Sequence, residues 1–130
     1  MGVSCAFFAD YARQSDQKLD VLGGIWDWCV LQSLEHPVEA HLVVLLQRGP
    51  DDIGVPGRLQ VTVTEVGEAS PLHSFELPVS GHIEGEQQAL AFPISIAVRR
   101  TGRHVVHLRA GVHDVGFALS LDVRSMDVTS

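Results

Sequence analysis

Apolar and polar residues alternate along most of this chain with the two-residue period of half-buried β-strands, and no stretch keeps a helical period long enough to predict a helix. The strongest pattern covers residues 38–48. Val38, Ala40, Leu42, Val44 and Leu46 share one face, and Glu39, His41, Val43, Leu45 and Gln47 share the other. Its middle is apolar on both sides, which predicts a central strand or one whose outer face is covered. Leu59, Val61 and Val63 alternate with Gln60, Thr62 and Thr64. His73, Phe75, Leu77 and Val79 repeat the period, and Pro78 among them points to a sheet edge because proline cannot donate to a ladder. Leu90, Phe92, Ile94, Ile96 and Val98 form another inward set. Val106, Leu108 and Ala110, then Val115, Phe117, Leu119 and Leu121, read as a closing hairpin. For both inward sets to share a face, even positions must stand opposite odd ones; a turn over residues 111–114 achieves this by placing Ala110 opposite Val115.

Towards the start the pattern is weaker. Residues 6–12 make a short apolar segment, Asp16, Gln17 and Lys18 a polar turn, and residues 19–22 an alternating run. Gly23 and Gly24 inside a strand pattern predict a bulge or a close backbone approach. Trp26, Trp28 and Val30 share a parity, so a continuous strand gives the two tryptophans one environment, as core anchors or as a binding hot spot; Pro37 ends that segment. Residues 49–57, dense in Gly, Pro and Asp, must leave the sheet. The expectation is an all-β antiparallel sandwich of about eight strands. With no repeat or linker, it is one domain over residues 1–130.

The run Ala9-Asp10-Tyr11-Ala12 followed by Lys18-Leu19-Asp20-Val21-Leu22-Gly23-Gly24-Ile25-Trp26 resembles the opening of the DUF6941 group of small bacterial proteins. Gly102-Arg103-His104-Val105-Val106-His107-Leu108 stands where that group closes on Gly-x-aromatic and alternating hydrophobic residues, with His104 in place of the aromatic. The resemblance implies a compact immunoglobulin-like β-sandwich. It implies no activity and carries over no functional residues.

Composition narrows the functional classes. At 45% hydrophobic and 19% charged residues the chain is too apolar for disorder, and 130 residues suffice to bury a core without staples. No unbroken apolar run is longer than that of residues 42–46, far short of the ~20 needed to span a bilayer. A net charge of −7 argues against nucleic acid as a partner, since phosphate binding needs a basic patch. The first residues lack a basic, then long apolar, leader, and the expected location is the cytoplasm, with Cys5 and Cys29 kept as thiols that act as small buried hydrophobes.

Candidate chemistry is sparse. Seven histidines invite a metal hypothesis, yet no His-x-His, Cys-x-x-Cys or His-Glu-x-x-His spacing occurs, so a site must assemble across strands, for example from His41, His73 and His107. Cys29 has no basic neighbour in sequence to activate it, and no Gly-x-Ser-x-Gly elbow is present. Gly23 and Gly24 do not open a phosphate-binding helix, and Asp51 and Asp52 lack calcium-loop spacing. The expectation is a protein that is not an enzyme and takes no cofactor. Outward positions of two late strands are unusually small: Ala89, Ala91, Ser95 and Ala97, with Ala118 and Ser120. Small side chains let another sheet or subunit approach closely; the plain alternative is packing under a segment of the same chain. The leading expectation is therefore a non-catalytic module that associates with itself, as a homodimer, or with a protein partner through a sheet face or an exposed edge. The alternative is a small-ligand or metal-binding sandwich using histidines from separate strands.

Overall fold

The computed structural model describes residues 1–15, 18–52, 54–81, 85–111 and 113–126. They form nine strands: β1 (Gly2–Ser15), β2 (Lys18–Trp26), β3 (Trp28–Leu31), β4 (Val38–Gln47), β5 (Gly57–Glu65), β6 (His73–Val79), β7 (Gln87–Ile96), β8 (Gly102–Arg109) and β9 (Phe117–Ser125). One 3-10 turn, Pro50–Asp52, lies in the loop after β4. The polar turn expected at Asp16 and Gln17, and Ile53 and Val112 of two expected loops, lie outside the described residues. Among the described residues no helix is long and apolar enough to cross a membrane.

The strands form two sheets, ordered β2-β1-β4-β7 and β3-β9-β8-β5-β6. Their apolar faces share one core, which includes Phe8, Leu42, Val44 and Leu46 from the first sheet and Leu59, Val61, Val106, Leu108 and Leu121 from the second. The count is nine strands rather than about eight, and one pairing, β3 with β9, is parallel in an otherwise antiparallel arrangement. Both departures arise at Asp27. Trp26 ends β2 in the first sheet and Trp28 begins β3 in the second, so the two tryptophans do not share an environment. Trp26 faces inward and stacks on Phe8 with ring centroids 5.4 Å apart, while Trp28 is 48% exposed under the guanidinium of Arg124. Parity arguments hold only within an unbroken strand, and here the chain changes sheets between the two rings.

Where alternation is unbroken, the expected register is found. β4 is central, between β1 and β7, and its five even positions are all buried. Pro78 lies on β6, an edge strand. In the closing hairpin Leu108 stands opposite Phe117 and Val106 opposite Leu119, which is the expected register. The pairing stops before Ala110 and Val115, however. Asp114 takes the amides instead, accepting from Ala110 at 2.9 Å, Gly116 at 3.0 Å and Val3 at 3.1 Å. Val115 is consequently 92% exposed rather than inward.

β1 is longer than the expected residues 6–12 because bulges disturb its alternation. Its register against β4 shifts between Val3 and Cys5, and against β2 between Phe8 and Ala9. The second shift is the irregularity that Gly23 and Gly24 predict. Gly23 has φ +61° and Ile25, the extra residue, φ +62°; a Cβ on Gly24 would lie 2.9 Å from Val21. Past this point the β1–β2 ribbon leans over the outer face of its own sheet. Ala12, Leu19 and Val21 join Phe7, Ala9, Val43 and Ala91 in a second apolar cluster, and the Gln14 amide donates to the Ala89 carbonyl. That cover explains why Val43, on the outer face of β4, is fully buried.

Buried polar groups close the core at both ends. At one end Arg48, wholly buried, donates to the carbonyls of Asp52 at 2.7 Å, Val55 at 2.5 Å and Ser80 at 2.8 Å, and to Oε1 of Gln88 at 2.9 Å. At the other end the buried Glu65 carboxylate meets Arg99 and Arg100, each at 2.6 Å, opposite the buried His104 of β8.

Candidate functional site

The expected small-residue surface does not come together as one face. Ala89, Ala91 and Ser95 lie on β7 and Ala97 just beyond it, in the first sheet; Ala118 and Ser120 lie on β9, in the second. The outer faces of two stacked sheets point in opposite directions. Within the first group, Ala91 packs in the second apolar cluster under the ribbon, and the Ala89 carbonyl is taken by Gln14. Ser95 borders a shallow cleft with Asp10, Glu39 and His41. In the second group Ala118 is exposed, and Ser120 accepts a hydrogen bond from Arg103 at 2.8 Å.

The histidines are likewise dispersed. His41 sits on the outer face of β4, its ring edge-on to Tyr11 and its Nδ1 3.3 Å from the Asp10 carbonyl. The His73 Nε2 lies 2.7 Å from the Ala97 carbonyl, and His107 is exposed beside Gly116 on the second sheet. Among the described residues no three His, Cys, Asp or Glu side chains are grouped to hold a metal ion. Both thiols are half-buried, and burial, helped by the Asp122 carboxylate, pushes the Cys29 thiol up, away from the thiolate a nucleophile needs.

What the structure does bring together is a cleft along β3. All four residues of that strand line it, with Trp26, Val38, Glu39 and Asp10, around a volume of about 400 Å³. Two features of the fold open it. The pairing of β1 with β4 ends at Ala9 and His41, so β1 diverges and leaves the start of β4 uncovered on that side. β3, in turn, is the last strand of its sheet. The Asp27 carbonyl accepts from Asp122 N–H and the Leu31 carbonyl from Met126 N–H, so residues 27, 29 and 31 turn their backbone groups to β9. By alternation the N–H and C=O groups of Trp28 and Val30 turn to the open side.

The four edge strands differ in how they are protected. An unpaired edge is a template for another strand unless charge, proline, a bulge or a covering group blunts it. β6 carries Pro78 and the Arg58–Glu76 ion pair at 2.9 Å. β7 carries Pro93 mid-strand, with side-chain donors on its carbonyl at Ala89 and on that of Ala97 just beyond it. β2 has the bulge at Ile25 and, further out, Lys18 and Asp20. β3 reads Trp-Cys-Val-Leu, with neither charge nor proline, and its outward side chains Trp28 and Val30 are 48% and 45% exposed. This edge escaped sequence reasoning, which saw the same residues as a continuation of the preceding strand. Compared with protein-family models and with curated proteins, the chain matches none.

Proposed function

We propose that this chain is a non-catalytic interaction module that takes up an extended segment of a protein partner by strand addition at the open edge of β3. The observation that carries the reading is the contrast among the edges: β3 alone of the four has neither charge, proline nor bulge along its length. Main-chain hydrogen bonds to Trp28 and Val30 would supply affinity, and the flanking cleft would read alternate side chains. The framework is immunoglobulin-like on this reading. Support comes from β4 pairing with β7 in one sheet while β5, β8 and β9 are neighbours in the other, the arrangement of the B–E and C–F–G strands in such domains. The resemblance of the opening segment to the DUF6941 group points to the same architecture.

The test is selection of randomised heptapeptides on the immobilised protein, with Val30→Pro and Val30→Lys as controls. The first removes an edge N–H and the second places a charge on the edge. Sequences enriched on the natural chain and lost on both controls, each with an unchanged β-sheet circular dichroism spectrum, support the reading. Enrichment that survives in both folded controls, or no enrichment at all, overturns it.

A further inference from the structure

We infer that the segment taken up at β3 alternates apolar with basic side chains, an inference that rests on the strand-addition reading and adds the chemistry of the partner. An added strand sends alternate side chains to opposite faces of the sheet. One set continues the exposed row of Trp28 and Val30. The other turns to the cleft, whose charged lining is Asp10 and Glu39. Both carboxylates are exposed, and neither has an ion pair among the described residues. Neighbouring acids differ: Asp20 is paired with Arg13 at 3.0 Å, and Asp122 with Arg124 at 3.1 Å. Asp27, the residue before β3, is exposed and has no ion pair among the described residues either, so it adds a third unpaired carboxylate beside the open edge.

A further observation favours a basic segment of another protein over a second copy of this chain. A symmetric β3-to-β3 contact would bring two acidic clefts together on molecules that each carry a net charge of −7. Opposite charge on the partner steers encounter and fixes register, whereas like charge opposes both.

The probes are two fluorescein-labelled peptides, Thr-Val-Lys-Val-Lys-Val-Thr and its Gln-for-Lys counterpart, titrated by fluorescence anisotropy. The Lys peptide is expected to bind about tenfold tighter than the Gln peptide, with the difference shrinking at high salt. In the double variant Asp10→Asn with Glu39→Gln, the preference disappears while the Gln peptide's affinity is kept; a thermal melt verifies that the variant is folded. Equal affinities on the natural chain overturn the inference, and the edge reading then stands if both peptides are lost on Val30→Lys. A Lys preference that persists in the double variant also overturns it, by assigning the effect to the overall charge. If neither peptide binds, the basic-segment inference falls, and the edge reading is decided separately by the heptapeptide selection.

Discussion

Arg48 illustrates how much of the fold rests on single polar side chains. A guanidinium presents a rigid fan of donors, and here it satisfies three backbone carbonyls and one side-chain oxygen around the loop after β4 and the end of β6. Lysine offers one rotatable ammonium in that space and leaves buried acceptors unpaired. Arg48→Lys is expected to lower the unfolding free energy by about 2–4 kcal/mol in urea titrations, with the loss absent if these bonds do not form in solution. Asp114 plays the matching role in the turn between β8 and β9, where three amides converge on its carboxylate. Asp114→Ala is expected to remove about 1–3 kcal/mol, while Val115→Ser, one residue on but solvent-exposed, leaves stability unchanged. Equal effects of the two substitutions would assign the turn to chain connectivity rather than to the carboxylate.

At the scale of elements, the ribbon of β1 and β2 converts part of an outer sheet face into a second small core. Ala91 lies beneath it and Ala118 lies in the open on the other sheet. Arginine at the two positions should therefore behave differently. Ala91→Arg forces the ribbon away or strains its packing and is expected to cost about 1–3 kcal/mol, and Ala118→Arg is expected to be neutral within about 0.5 kcal/mol, both read from thermal or urea unfolding. A neutral Ala91→Arg would mean that the ribbon lifts freely from the sheet. These elements also mark what the sequence encodes locally. β4, β5, β7 and the β8–β9 register were legible because period-two alternation and hairpin geometry act between near neighbours. β1 was only half legible, since bulges reset its parity, and β3 was missed because one residue, Asp27, carries the chain between sheets. Which sheet a strand joins depends on partners far along the chain, so Ala91 and Ala118 read alike in sequence although they lie on different sheets. For the same reason the sequence signalled only the tryptophans of the β3 cleft, as core anchors or a hot spot, and not the cleft itself, which is made by the divergence of β1 from β4 beside a terminal strand.

The molecule as a whole has a carboxylate at each end of its core, and this determines how it responds to acid. Glu65 is held below the usual carboxylate range first by its hydrogen bond with Arg99, against the opposing effect of burial, with the charges of Arg99, Arg100 and His104 adding to the depression. For Asp114, burial pushes upward, but the backbone amides of Ala110, Gly116 and Val3 together outweigh it and hold the group low. A carboxylate whose folded pKa lies below its unfolded value adds stability that is fully present above the unfolded value, about 4, and is lost as pH falls through the folded value. Both groups therefore predict constant stability from neutrality down to about pH 5 and a progressive decline below it. The two sites are far apart, since Glu65 pairs with His104 near the start of β8 and Asp114 follows the end of that eight-residue strand, roughly 20 Å away. Their contributions should add rather than couple. Glu65→Gln and Asp114→Asn are each expected to flatten part of the decline in urea unfolding measured between about pH 2.5 and 6, and the double variant to flatten it by the sum of the two. A double variant no flatter than either single one would show that the two ends unfold as one acid-triggered unit, with charge at one end felt through the core at the other.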